Sequence, residues 1–342
     1  MARLMTSVRT IAGALVLAFA LAISAAATQP VSAQQVNPTE KSVTEQQLLD
    51  HLRVIRGRGT IPDTRSYTIE HPAGRDWRQF RTVTLKWIGS VAILGMIVVC
   101  ALFYLIRGRI PIEEGRSGRT LVRFNGFERF VHWLTAAAFI VLGITGLNIT
   151  FGRLLFVSNA GTDAFSTWSQ WAKYAHNFVS FAFTLGVVLM FLIWIAENFP
   201  TKADFQWLAR AGGLFGKQRG EHPPAWRFNA GQKLLYWAVV FGGIAMIVTG
   251  YMLLFPFYGG LTVGNMELAL IFHAIVGMLL IAMILAHIYL GTVGMEGALE
   301  SMVDGSVDRN WAKEHHPLWF KEQLEGRPQD TAGGRPLATP AE

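Results

Sequence analysis

The chain has 342 residues, of which 51% are hydrophobic and 15% charged, and its mean hydropathy is +0.33. Soluble proteins carry about 25% charged residues, so this composition argues against a cytosolic globular enzyme. The net charge of +7 does not indicate nucleic acid, because the Lys and Arg residues lie between apolar runs, where membrane proteins keep them. We expect membrane lipid, and no nucleic acid, around the chain.

The single cysteine, Cys100, lies inside an apolar stretch. One thiol cannot form an internal disulfide, a cysteine-ligated iron–sulfur cluster or a C-x-x-C-H haem attachment. Any redox cofactor must therefore be held by other side chains.

The N-terminus has the pattern of an export signal. Two arginines in the first nine residues precede an apolar segment at 11–27, and Val-Ser-Ala at 31–33 has the small-x-small form of a signal peptidase site. We interpret residues 1–33 as a signal peptide. An uncleaved signal anchor is the alternative, because the apolar segment is long. Residues 34–82 hold eight Lys or Arg and six Asp or Glu and predict a loop-rich extracytoplasmic segment.

Five charge-free stretches follow, and each is long enough for the roughly 20 helical residues that cross a bilayer core. They are residues 87–106, 130–152, 174–196, 234–266 and 268–295. The fourth span is expected to end near Phe255 and Pro256, because proline follows its membrane-length part. The predicted fold class is an all-α membrane protein.

Basic residues between the spans predict the orientation. If residue 34 onward starts outside, the inner segments 107–129 and 197–233 hold six Lys or Arg each, whereas the outer segments 151–173 and 256–267 hold two and none. This distribution follows the positive-inside rule. It predicts a multi-pass protein of the bacterial inner membrane, with an extracytoplasmic N-terminal segment and a cytoplasmic C-terminus.

Two predicted helix starts resemble each other at an offset of 104 residues. Residues 123–129 (RFNGFER) correspond to 227–233 (RFNAGQK), and both place Asn three residues before Glu or Gln, as in a capping box. Capping alone is one explanation of the match. The residues that also recur are Trp133, Thr145 and Gly146, as Trp237, Thr249 and Gly250. The correspondence breaks where His132 is replaced by Tyr236, so that histidine is expected to have another role.

Four histidines fall inside the predicted spans, where ionisable side chains are costly and usually functional. By the predicted topology, His132 and His287 lie near the inner face, and His176 and His273 near the outer face. His273 and His287 are 14 residues apart on one helix, a rise of about 21 Å that returns to within about 40° of the same direction. We therefore pair His176 with His273 and His132 with His287.

Each pair offers two neutral imidazoles from different helices, which can fill both axial positions of a haem iron used for electron transfer. Zinc sites normally need more ligands than each level supplies, and a proton relay would need more intramembrane carboxylates. These two readings remain alternatives. The histidines outside the spans are expected to face solvent; they are His51, His71, His222, His315 and His316.

Over residues 118–322 the sequence resembles the gamma subunit of membrane-bound formate dehydrogenase, its cytochrome b. The resemblance rests on residues 123–133, on the RFNAGQK stretch, on the His-x13-His helix and on residues 311–320 (WAKEHHPLWF). It implies a four-helix haem-binding transmembrane bundle. This chain departs from the shortest family members by adding the signal peptide, the 34–82 segment and one extra N-terminal transmembrane helix.

The same resemblance implies two b haems, ligated as paired above, and a quinone (menaquinone or ubiquinone) as electron acceptor. Asn229, with Gln232, would contact the quinone; N-capping alone is the alternative role of Asn229. The partners implied are an iron–sulfur (beta) subunit and a molybdenum- or tungsten-containing catalytic (alpha) subunit. Formate oxidation would then not occur on this chain, and no catalytic residue is assigned.

The predicted organisation has five parts. They are the signal peptide (1–33), the extracytoplasmic segment (34–82), the extra helix (83–107), the dihaem cytochrome b domain (118–296) and the cytoplasmic tail (297–342). The cytochrome of a hydrogenase or a thiosulfate reductase is an alternative function, and a haem-free membrane anchor or transporter is another.

Overall fold

The structure is a computed structural model that describes residues 77–213, 223–256 and 258–325. The predicted signal peptide and most of the 34–82 segment lie outside the described residues, as do His51, His71 and His222. The described part contains five helices that are long and apolar enough to cross a membrane. This number confirms the sequence prediction.

The first three membrane-length helices are longer than the charge-free stretches that predicted them, whereas the last two are shorter. The five helices are α1 (Leu85–Arg107), α2 (Gly126–Val157), α3 (Gly161–Trp194), α5 (Ala230–Leu254) and α6 (Val263–Tyr289). The first of them is preceded by a π-helical turn, Phe80–Thr84, so its apolar span begins at Trp77, and the last is followed by another, Leu290–Gly294. As expected, α5 ends directly before Phe255 and Pro256.

The predicted outer segment at 151–173 is mostly helical. Helices α2 and α3 fill this interval and meet at Gly161, whose φ of +80° breaks the helix. Glycine adopts this left-handed conformation without the steric cost that a side chain would add. Charge marks where the apolar core of a span ends, but a helix can continue into water beyond that point.

Shorter elements lie at the opposite end of the bundle from Gly161. They are β1 (Thr120–Val122), α4 (Lys202–Ala209), α7 (Glu300–Val303), β2 (Ser306–Asp308), α8 (Arg309–His315) and α9 (Pro317–Glu325). Strands β1 and β2 pair antiparallel, with Leu121 opposite Val307. The described part of the predicted tail is therefore folded onto the segment before α2, around the buried Trp311.

Both predicted capping boxes are present. The Asn125 side chain accepts a hydrogen bond from the Glu128 N–H (2.9 Å), and the Asn229 side chain accepts one from the Gln232 N–H (2.9 Å). In return, the Glu128 and Gln232 side chains accept from the N–H groups of the two asparagines. These bonds satisfy N–H groups that the first helical turn leaves unpaired, so α2 and α5 begin where the repeated motif predicts.

The extra helix α1 packs against α6. Gly89 allows the close approach: a Cβ atom there would lie 3.0 Å from the Met278 sulfur and 3.0 Å from the Phe151 ring. Between α2, α3 and α5, a buried core includes Val131 and Val240. The core between α2, α3 and α5 holds together two of the three helices that bear the four histidines.

Candidate functional site

The four intramembrane histidines meet in two pairs. The ring centres of His132 and His287 are 6.2 Å apart, with ring planes at 64°. Those of His176 and His273 are also 6.2 Å apart, at 67°. His132 lies in the second turn of α2 and His287 in the last turn of α6, whereas the other pair joins α3 to the first half of α6. The structure thus brings together the rings that the predicted depths had paired.

The ring separations fit a shared iron atom. An iron bound by two imidazole nitrogens at about 2 Å each would hold the ring centres about 6 Å apart. Each pair therefore has the spacing of two axial haem ligands. Within the described residues, no group of three or more His, Cys, Asp or Glu side chains is placed to hold a metal ion.

The donor chemistry of the His176–His273 pair also fits. Thr145 Oγ1 lies 2.8 Å from His176 Nδ1, and Thr249 Oγ1 lies 2.9 Å from His273 Nδ1. A hydrogen bond at one ring nitrogen fixes the tautomer and orientation of a metal-binding histidine. Both Nε2 atoms are thereby left available as ligands.

Tyr236, at the position that breaks the sequence repeat, is a packing residue. Tyr236, the counterpart of His132, is buried, and its hydroxyl donates to the Phe191 carbonyl (3.1 Å). Its neighbour Trp237 donates to the Asn198 carbonyl (2.9 Å), just as Trp133 donates to the Met302 carbonyl (2.8 Å). The repeat therefore preserves the helix anchors but not the histidine.

A polar network joins the starts of α2 and α5. The Arg123 guanidinium donates to the Arg227 carbonyl (2.6 Å) and to Gln232 Oε1 (3.2 Å). Arg227 in turn donates to the Arg123 carbonyl (2.6 Å) and pairs with Glu128 (2.7 Å). Burial, together with the charge of Arg227, lowers the pKa of Arg123 to about 9, so Arg123 remains cationic at neutral pH. Gln232 is thus held in place from two sides.

The expectation that His316 faces solvent is wrong, because its side chain is fully buried. Its ring packs against Trp311 (centroids 5.1 Å) and Trp319 (6.5 Å). Nε2 lies 3.1 Å from the Arg123 guanidinium, and Nδ1 lies 2.6 Å from the Trp226 carbonyl. Since Nε2 must accept from Arg123, Nδ1 carries the proton and donates to Trp226.

Burial and the nearby charge of Arg123 hold the pKa of His316 well below its usual range, so the ring is neutral. His315, also expected in solvent, is half-buried beside Trp311. The signal that sequence analysis missed is the Trp-rich stretch on both sides of the two histidines. Its aromatic residues form a small core with β1 and β2.

A cavity of about 560 Å³ opens beside this network. Its lining includes Arg123, Arg227, Glu197, Lys233 and Trp319. Asn229 lies at the same end of the bundle, half-buried, with its Oδ1 engaged in the capping box. The end of the bundle that holds His132 and His287 therefore has a polar cavity next to it.

Comparison with known proteins identifies the family of this bundle. The family model of the prokaryotic cytochrome b561 matches residues 123–305, which include all four paired histidines. The chain belongs to the prokaryotic cytochrome b561 family. Membership of a cytochrome b family implies haem b, and the ring separation in each histidine pair fits such a group.

Several individual cytochromes are similar to this one. The nitrate-inducible formate dehydrogenase cytochrome b556(Fdn) subunit of Escherichia coli K12 is 28% identical over 207 residues, which are 60% of this chain and 93% of that protein. The cytochrome b556(fdo) subunit of the same strain is 29% identical over 205 residues (59% and 93%). The formate dehydrogenase cytochrome b556 subunit of Haemophilus influenzae is 28% identical over 208 residues (60% and 84%).

Proposed function

We propose that this cytochrome is the dihaem b subunit of a membrane-bound formate dehydrogenase and that it carries electrons from an iron–sulfur subunit across the membrane to quinone. The main support is the pair of bis-histidine sites, one towards each end of the bundle and both with a ring separation of 6.2 Å. The names of the similar cytochromes support formate dehydrogenase as the parent complex. Bound haem supplies reversible one-electron chemistry at each pair.

The orientation we propose places the His132–His287 pair on the cytoplasmic side of the bacterial inner membrane. Two segments of the sequence hold six Lys or Arg each, 107–129 and 197–233, and their described parts, 107–129, 197–213 and 223–233, lie at that end of the bundle. Basic residues accumulate on the cytoplasmic side of membrane proteins. The His176–His273 pair then lies near the outer face, and the C-terminus is cytoplasmic.

We further propose that quinone, either menaquinone or ubiquinone, binds near the starts of α2 and α5. The Asn229 side chain can offer its amide N–H to a quinone oxygen, because capping uses only Oδ1. A reduced quinone carries negative charge, which the positive end of the α5 dipole and the Arg123 guanidinium favour. Protons for quinone reduction would enter from the cytoplasm through the neighbouring polar cavity.

The organisation proposed is that of the sequence analysis: a signal peptide (1–33), an extracytoplasmic segment (34–82), the extra helix (83–107), the dihaem domain (118–296) and a tail (297–342). The partners are an iron–sulfur subunit and a molybdenum- or tungsten-containing catalytic subunit, which performs formate oxidation. Helix α1 would brace the complex or dock a partner through its exposed apolar face. Deleting residues 34–106 should then weaken complex assembly without removing either haem spectrum.

The purified complex tests the function directly. Formate should reduce a b-type haem signal, and added quinone should reoxidise it. A complex that oxidises formate but shows no b-type spectrum would overturn the proposal.

The quinone role of Asn229 has a matched control in Asn125, because both residues cap helices in the same way. Asn229→Ser preserves a capping oxygen, so we expect the haems and the stability to be retained while the KM for quinone rises. Asn125→Ser should leave the KM unchanged. Equal effects of the two variants would reduce Asn229 to a capping residue.

A further inference from the structure

The repeated Thr-Gly pairs lie directly against one pair of histidines. Thr145 and Gly146 on α2 face His176 of α3, and Thr249 and Gly250 on α5 face His273 of α6. Sequence analysis detected these residues only as part of an internal repeat. The structure shows that the repeat presents the same two-residue surface to each ring of one pair.

The hydroxyl hydrogens of both threonines have identifiable acceptors. Thr145 Oγ1 donates to the Val141 carbonyl (2.7 Å), and Thr249 Oγ1 donates to the Ala245 carbonyl (2.6 Å). A hydroxyl has one hydrogen and a carbonyl has none, so each Oγ1 must accept from the neighbouring imidazole. Nδ1 is therefore the protonated nitrogen in both rings, and each Nε2 lone pair is free to bind iron.

The glycines let the rings lie close to the helix backbone. A Cβ atom at Gly250 would lie 3.3 Å from His273 Cε1, whereas one at Gly146 would lie 3.6 Å from His176 Cε1. The first distance is tight enough to force a small shift of the ring, and the second is an ordinary van der Waals contact. Two restraints, a hydrogen bond and a backbone surface, thus fix each imidazole.

His132 of the other pair lacks this arrangement. His132 Nδ1 is buried, and within the described part of the chain it has no hydrogen-bond partner. The two pairs therefore differ in the electronic environment of their ligands although their ring separations are the same.

We propose that Thr145 and Thr249 are positioning residues that aim Nε2 of His176 and His273 at the iron of the outer haem and lower its reduction potential relative to that of the inner haem. An imidazole that donates from Nδ1 is a stronger electron donor at Nε2 and stabilises ferric iron over ferrous iron. One electron then passes downhill from the outer to the inner haem, the direction required by the proposed function, on which this inference rests.

Potentiometric titration of the b-haem absorbance in the purified complex provides the test. Thr145→Val and Thr249→Val each remove the acceptor at nearly constant volume, so each should raise the midpoint potential of one haem and leave the other unchanged. Thr145→Ser and Thr249→Ser preserve the hydroxyl, so the midpoint potentials should stay at the wild-type values. Thr184→Val is the matched control, because Thr184 is also a hydrogen-bonded threonine in a spanning helix but contacts Tyr251 (2.9 Å) rather than a paired histidine.

The glycines supply an independent measurement. Gly250→Ala should change the low-spin resonance spectrum of the same haem, because the new methyl group displaces the His273 ring, whereas Gly146→Ala should change it much less. If both haems are bound and neither potential changes in Thr145→Val or Thr249→Val, this inference alone is overturned. The same holds if the potentials of both haems shift in the Thr184→Val control. A complex without b haem would instead overturn the proposed function, and the two failures are thereby distinguishable.

Discussion

Replacing His316 by alanine should loosen the folded C-terminal segment. The ring is fully buried and contributes a hydrogen bond with the charged Arg123 and a second one to the Trp226 carbonyl. A hydrogen bond to a charged group contributes about 1.5–3 kcal/mol, and truncation of a buried ring adds the cost of a cavity between Trp311 and Trp319. We expect a total loss of about 3–5 kcal/mol in the unfolding free energy of this segment.

Limited proteolysis in detergent measures this loss, since cleavage follows local opening. A cost of about 3 kcal/mol increases the open fraction by about 100-fold, and the cleavage rate should rise accordingly. Glu325→Ala is the control, because that side chain is 68% exposed. A cleavage rate for His316→Ala within about fivefold of wild type, a cost of about 1 kcal/mol, would refute the argument that the buried ring holds the segment together.

Three further predictions concern stability. Because the pKa of His316 is lowered, the folded state resists a proton that the unfolded state accepts below about pH 6.5, so the C-terminal segment should lose stability as pH falls. Thermal unfolding measured at a series of pH values checks this, and the pH dependence should be weaker in His316→Gln. Gly186→Ala would place a Cβ atom 3.1 Å from the Thr135 backbone and should cost about 1–3 kcal/mol, measured by thermal unfolding; an unchanged midpoint would contradict close packing of α2 and α3. Lys233→Met should cost about 3–5 kcal/mol by leaving the buried Asp204 carboxylate without its 2.8 Å partner, and adding Asp204→Asn should recover part of the loss; additive costs would argue against the pair.

The membrane helices were predictable because lipid imposes a simple rule on sequence. Long charge-free runs locate the five spans, and the Asn-x-x-Glu and Asn-x-x-Gln motifs locate the starts of α2 and α5, since capping is decided within one helical turn. The rings that lie together were also identifiable, because depth and the 14-residue spacing on one helix left only one pairing at each level.

Other features depend on contacts that a local pattern cannot reveal. Helices α2 and α3 continue through 151–173 although charges interrupt the apolar run there. His316 becomes buried only because β2 pairs with β1, which brings it against Arg123, 193 residues earlier in the chain. The threonines appeared in the sequence only as a repeat, since their hydrogen bonds depend on how α2 packs against α3 and α5 against α6.

The most direct test of the whole account is the haem content of four single alanine variants of the purified complex. Reduced-minus-oxidised spectra and haem extraction measure that content. His132→Ala and His287→Ala should each lose one haem, and the same one. His176→Ala and His273→Ala should each lose the other. Loss of the same single haem in all four variants, or retention of both haems in any of them, would contradict two bis-histidine sites at two depths of the membrane.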